Sequence, residues 1–342
     1  MKKLLNTLYI LSEDAYLSLT GETVEIRTEN DVKNIPLHTL ESIVSFSYKG
    51  ASPALMGKCA ESGISLSFFD RKGRYLASVS SFGGGNVLLR RTQFRAADKK
   101  ETSLSVAQSF LLGKMYNAKY VLLRGARDHP LQTDVAALKA AAQKITEAMH
   151  ALELAEDPGE LRGLEGNAAA AYFGVFNELI LQNKADFVFK ERSRRPPLDY
   201  VNALLSFAYA LLSNDCASAL YSVGLDPFVG FLHTDRPGRK SLALDLVEEL
   251  RAPVADRFVL TLINHRMLTK SDFKKEESGA VYLTDDARRT FLSEWQKHKQ
   301  EQLVHPFLNE KIPWGLVPFA QALLLARFIR GDLDRYPPFF WK

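Results

Sequence analysis

The apolar pattern of this chain changes period once, at Ser80–Gly85, and that switch constrains the fold more than any other feature. Before it, short runs rich in β-branched, aromatic and aliphatic residues (Thr7–Leu11, Tyr16–Thr20, Thr23–Arg27, Ser42–Phe46, Ser65–Phe69 and Tyr75–Val79) are separated by turn residues such as Gly21-Glu22 and Lys72-Gly73. Runs of this length between turn signals read as strands, so a small sheet domain folded on itself is expected, with one helix near Ser52–Ser62. After Gly83-Gly84-Gly85 the apolar residues recur at helical spacing through Val87–Lys99, Ser105–Gly125, Asp134–Leu154, Leu164–Gln182, Asp199–Val223 and Ser241–Leu250. The two periods require different layers, so the expected fold is α+β: a β-rich domain over residues 1–85, then an all-helical domain over 86–342. A chain of 342 residues is long enough for both cores. The aromatic tail Tyr336-Pro337-Pro338-Phe339-Phe340 is expected to dock on the body.

Composition removes several classes. An apolar content of 46% with 25% charged residues belongs to a folded chain, not a disordered one. Cys59 and Cys216 stand alone, without the spacing of a zinc site or a disulfide framework. Met1-Lys2-Lys3-Leu4-Leu5 has the charge of a signal-peptide head, but Asn6, Thr7 and then Ser12-Glu13-Asp14 interrupt it, and a first strand is the better reading. No run approaches the ~20 consecutive apolar residues of a membrane span. A cytoplasmic protein with no membrane segment is therefore expected.

The net charge of +4 permits a nucleic-acid partner without demanding one, so its distribution matters more. Eight basic residues (Arg71, Lys72, Arg74, Arg90, Arg91, Arg95, Lys99 and Lys100) face a single acid, Asp98, between positions 71 and 100. A second cluster holds Lys190, Arg192, Arg194 and Arg195; a third holds Arg236, Arg239 and Lys240 around His233. Such clusters attract phosphate backbones of any sequence, although solvated faces are often equally basic. The second cluster is the stronger candidate, because Pro196-Pro197 fixes its backbone just before a helix capped by Asp199.

Three segments carry residues able to bind a divalent cation. In Gly163–Phe173, Glu165 opens a helix whose next two turns are nearly free of bulk; a lone glutamate there commonly serves only the helix dipole. In Gly224–His233, a helix ends, Asp226-Pro227 turns the chain, and His233 emerges between an apolar and a basic stretch. In Ser241–Arg251, Asp245, Glu248 and Glu249 share one stripe opposite Ala243, Leu246, Val247 and Leu250, the pattern of any amphipathic surface helix. Arg251, Arg239 and Lys240 can neutralise that stripe without a metal. Singly, each segment has an ordinary structural explanation. Together they supply one imidazole and hard carboxylate oxygens, which suit Mg²⁺ or Mn²⁺ rather than structural zinc.

Read in order, the strings Leu161–Ala169, Phe187–Pro197, Asp199–Phe207, Gly224–Pro227, Gly230–His233 and Arg239 with Ser241–Arg251 resemble the CRISPR adaptation integrase family, the first of the two core Cas proteins. The series spans about 90 residues; the N-terminal third is similar to the family only in layout. The resemblance implies an endonuclease or integrase that joins 3′ ends of short DNA duplexes to the repeat array. It implies catalytic and metal-binding roles for Glu165, His233 and Glu248, with Asp245 as reserve for the third ligand, and it adds Arg251, beside the acids, to the DNA-binding residues. It further implies double-stranded DNA, a homodimer paired through the β-domains, and the small second core adaptation protein as partners. The look is closest to members found with type I systems, subtype C. A stand-alone nuclease for branched DNA and a non-catalytic DNA-binding scaffold are the competing readings.

Overall fold

A computed structural model describes residues 7–70, 75–79 and 87–342. The basic residues Arg71, Lys72 and Arg74 and the Gly83–Gly85 boundary lie outside the described residues, as does Met1–Asn6. By internal contacts the chain divides into two units: one holds the chain up to Gly85 together with Asp285–Glu301, the other Asn86–Thr284 and Gln302–Lys342.

The first unit contains β1 (Thr7–Ile10), β2 (Tyr16–Thr20), β3 (Thr23–Arg27), β4 (Val32–Pro36), β5 (Ser42–Ser45), α1 (Pro53–Ser62), β6 (Ser65–Phe69) and β7 (Tyr75–Val79). β2, β3 and β4 form an antiparallel sheet, and β1-β5-β6-β7 form a second in which β1, β5 and β6 run parallel. Parallel neighbours need a crossover, and α1 provides it between β5 and β6. Ser52 Oγ caps that helix at Leu55 N, Pro53 starts it, and Gly63 ends it at φ 69°. Leu17 and Val24 from one sheet, Ile10, Ile43 and Leu66 from the other, and Leu55 and Cys59 from α1 make one core. β4 was not expected from the sequence. Lys33 and Asn34 break the apolar alternation, as an edge strand tolerates, and Pro36 closes it.

The second unit contains α2 (Val87–Asp98), α3 (Lys100–Asp128), α4 (Val135–Leu154), α5 (Pro158–Gly174), α6 (Tyr200–Ser222), α7 (Ser241–Leu250) and α8 (Arg257–Asn264). A single π-helical turn, Arg251–Asp256, joins α7 to α8. The helix α9 (Asp285–Gln300) belongs to the first unit, and α10 (Val317–Arg330) returns to the second. The all-helical expectation for 86–342 needs correction on two points. The hairpins β8 (Phe273–Lys275) with β9 (Val281–Leu283) and β10 (Gln302–Val304) with β11 (Lys311–Pro313) interrupt the helices, and α9 groups with the β-rich unit. Three-residue strands leave no period to read in a sequence.

α6 also departs from expectation. By length and composition it is apolar enough to cross a membrane, but 72% of that window is buried inside the protein. It is a core helix of its unit, with Leu204, Leu205, Ala208, Leu212 and Leu220 at or near zero exposure.

Candidate functional site

α7 is buried almost all round, its acids included, so it is not the surface helix its pattern suggested. Each acid has a separate set of partners. Asp245 is fully buried: its Oδ2 accepts from Phe231 N at 2.7 Å and Leu232 N at 3.0 Å, and its Oδ1 accepts from His233 N at 2.9 Å. The same Oδ1 lies 2.7 Å from His233 Nδ1. Asp245 thus uses both oxygens to fold the 231–233 loop, which removes it as a free third ligand. It fixes the imidazole instead: with Nδ1 engaged, Nε2 is the nitrogen available to a ligand. The loop passes so close to α7 that a Cβ on Gly230 would stand 2.8 Å from Ser241 Cβ and 2.9 Å from Asp245 Oδ2.

Glu165 lies in the middle of α5, not at its start. Asp157 caps the helix by accepting from Gly159 N and Glu160 N, Pro158 takes the first position, and the helix begins six residues earlier than the glycine-rich stretch suggested. Glu165 Oε1 accepts from Lys114 Nζ of α3. The same ammonium lies 2.8 Å from Glu248 Oε2, and Glu248 Oε1 lies 2.8 Å from Arg251. Two carboxylates from separate helices therefore meet at one cation. Burial works to raise the Glu248 carboxyl, but the charges of Arg251, Lys114 and His233 overcome it and hold it at about 2.

Lys114 was missed in the sequence, yet it carried a signal. Phe110 and Ala118, one turn either side, and Ala107 and Val121, two turns away, are all buried. A lysine on that stripe of a long helix is a charge in a core position and demands a partner.

Arg251 continues the chain of contacts. Its guanidinium packs 4.9 Å from the centre of the Tyr209 ring, and that of Arg192 lies 5.2 Å from the same ring. Tyr209 donates to Asp256 Oδ1 at 2.6 Å and Tyr172 to Asp256 Oδ2 at 3.0 Å. Burial pushes Asp256 up to about 6 against the pull of those two hydrogen bonds and both arginines. Two of the residues assigned to DNA need correcting. Arg192 donates to Asn202 Oδ1 at 2.6 Å and Ser206 Oγ at 3.1 Å, so it holds the 190s loop onto α6. Arg251 is committed to Glu248 and Tyr209. Lys190, Arg194, Arg195 and Arg236 are exposed, whereas Arg239 and Lys240 are half-buried.

Glu249, next to Glu248, has a separate set of partners. It accepts from Tyr336 Oη, from Gln321 Nε2 at 3.0 Å and from Phe339 N at 2.8 Å, while Asn117 accepts from Trp341 N and donates to Phe339 O. The expected docking of the tail is thus realised behind α7. Burial raises Glu249 to about 7 in spite of these donors.

Among the described residues no three of His, Cys, Asp and Glu stand together as a ready-made metal cage. The donor chemistry nevertheless fits a hard divalent cation: Glu165 and Glu248 already converge on a positive charge, and His233 acts on Glu248 with its imidazole held in one orientation.

Comparison with known proteins agrees with this layout. A family model described as CRISPR associated protein Cas1 matches residues 8–297. Proteins named CRISPR-associated endonuclease Cas1 from Rhodospirillum rubrum and Chlorobaculum tepidum are 51% and 48% identical, each over the whole of both chains. Among solved structures, a casposase bound to integration product superposes with a TM-score of 0.85 at 22% identity, covering 99% of this chain and 95% of that one. A Cas1 protein from Thermotoga maritima does so with a TM-score of 0.82 at 22% identity, covering 98% and 100%. This chain belongs to the CRISPR-associated Cas1 family.

Proposed function

We propose that this chain is a metal-dependent DNA integrase of CRISPR adaptation that joins the 3′ ends of short DNA duplexes, the new spacers, to the repeat array. The coarser statement, a nuclease or integrase of CRISPR adaptation, follows from the family and from close relatives named as endonucleases. The observation that carries the finer one is the meeting of Glu165 and Glu248 at a single cation, with His233, fixed by Asp245, acting electrostatically on Glu248.

In this reading Glu165, His233 and Glu248 hold one Mg²⁺ or Mn²⁺, which when bound supplies charge neutralisation at the phosphate and at the attacking oxygen. Joining is a transesterification: the 3′-hydroxyl oxygen of the incoming strand bonds to a phosphorus of the repeat, and the bond from that phosphorus to its bridging oxygen breaks. The hydroxyl proton ends on the released oxygen, and no water is consumed. Asp245 keeps His233 Nε2 forward, and Arg251 keeps Glu248 ionised and aimed. Lys190, Arg194, Arg195 and Arg236 give the backbone grip, with less from Arg239 and Lys240. A homodimer through the β-rich unit and the small second adaptation protein complete the proposed assembly.

The test is a fluorescent duplex offered with a plasmid carrying the repeat. Joined product in Mg²⁺ or Mn²⁺ is expected, with none in chelator and none from 3′-dideoxy ends. Cutting of branched DNA that survives 3′-dideoxy ends, without joining, would favour the stand-alone nuclease. DNA binding indifferent to chelator, with no turnover, would favour the scaffold.

A further inference from the structure

We propose that Lys114 is the resident counter-ion of this site: its ammonium holds Glu165 and Glu248 together in the metal-free protein and has to leave that position before a divalent cation can be bound there. The inference rests on the reading of Glu165 and Glu248 as metal ligands.

Three observations carry it. First, the Lys114 side chain is only 16% exposed and Glu248 only 6%, so neither charge is neutralised by bulk water. Removing one member of such a set leaves an uncompensated buried charge, which is why some cation must stand between the acids. Second, Lys114 is the cation that both acids share: it pairs with Glu165 and with Glu248, whereas Arg251 pairs with Glu248 through its other oxygen. The shared position is the one a bridging metal needs. Third, the two cations differ in how firmly they are held. The Arg251 guanidinium lies against the Tyr209 ring at 4.9 Å and is fixed by packing as well as charge. Lys114 is a point charge on a flexible stem of four carbons. Arg251 is the permanent partner of Glu248 and Lys114 the exchangeable one.

The consequence is a lowered apparent affinity for metal. Binding is weakened by the fraction of molecules in which the lysine has already left, so a tenth in that state means about a tenfold loss. The lysine is a threshold: it keeps the acids assembled when metal is scarce and sets the concentration at which the site loads.

The experiment is isothermal titration of Mn²⁺ into the full-length protein, with melting curves in chelator and in Mn²⁺. Lys114→Met and Lys114→Gln keep the stem and remove the charge. Both should bind Mn²⁺ at least about tenfold more tightly than wild type. Both should also melt lower in chelator and regain more on adding Mn²⁺. Folded neutral variants that bind Mn²⁺ no more tightly than wild type overturn the proposal and leave the metal reading intact. Should both variants fail to fold, Lys114→Arg decides: its bidentate fork should weaken Mn²⁺ binding by about tenfold, and unchanged affinity overturns the proposal. Wild-type protein that binds no Mn²⁺, or Glu165→Gln that binds it as well as wild type does, removes the metal reading and this proposal with it.

Discussion

Gly113→Ala tests the packing on which the site depends. In an exposed helix the exchange would stabilise by about 0.8–1 kcal/mol, because glycine is the poorer helix former. Gly113 is not exposed. A Cβ there would stand 2.9 Å from Glu249 Cβ, 3.0 Å from Glu249 Oε2 and 3.1 Å from Pro338 Cβ, where ordinary carbon contacts begin near 3.5 Å. Glu249 cannot easily retreat, since Tyr336, Gln321 and the Phe339 amide all donate to it, and Pro338 sits in the tail that those bonds hold. Overpacking of this kind costs about 1–3 kcal/mol, and losing one buried hydrogen bond adds about 1 kcal/mol or more. Set against the helix gain, the net is a loss of about 2 kcal/mol. For a unit of this size that is a fall of about 4–8 °C in the transition of the helical unit. Calorimetry should separate it from Gly163→Ala on α5, where nothing lies within 4 Å of the new Cβ and a small gain is expected. A Gly113→Ala protein that melts at or above wild type would refute the close approach of α3, α7 and the tail.

How much of this was legible depended on whether the signal was local. The strands β1, β2, β3, β5, β6 and β7 and the helix α1 were readable because alternation and turn residues sit within a few positions of each other. α5 starts earlier than the sequence suggests because its Asp157-Pro158 cap stands apart from the Gly163–Ala169 stretch. α7 was placed correctly as Ser241–Leu250, but its surroundings were misread. Its acid stripe looks solvent-facing only until Lys114, 134 residues earlier, and Tyr336, 87 residues later than Glu249, are brought to it. The 190s cluster shows the same limit: four basic residues in a row of six say nothing about which one turns inward, and Asn202 and Ser206 decide that for Arg192. The acids and the histidine stand out in the sequence because hard oxygen and imidazole donors are few. Lys114 does not, because a lone lysine on a long helix carries no ligand chemistry and its partners lie 51 and 134 residues away.

Three further outcomes follow from the same geometry. Glu249 is raised to about 7 from an ordinary 4.5, so its contribution to stability is full below pH 4.5 and is lost as pH rises through 7. The melting-temperature difference between Glu249→Gln and wild type should therefore move in favour of the variant from pH 5 to pH 8; a constant difference would contradict the raised carboxyl. Arg194→Ala with Arg195→Ala should weaken duplex binding for all sequences alike and flatten the salt dependence by up to about two counter-ions, and unchanged affinity at low and moderate salt would return both residues to a merely solvated role. The last outcome concerns Glu165→Gln and His233→Ala. The first keeps the shape of the side chain and removes a charge; the second removes a ring nitrogen that Asp245 orients. If both residues hold one metal, each change alone abolishes joining while DNA binding and melting stay near wild type, because Glu165 is partly exposed and Lys114 retains Glu248. The double variant can then be no worse than either single one, since a metal site lost once cannot be lost again. Separate structural roles predict the opposite pattern: partial activity in each, lowered melting temperatures, and defects that add. Robust joining by Glu165→Gln in both Mg²⁺ and Mn²⁺ would remove Glu165 from the site, and additive partial losses would break the link between Glu165 and His233.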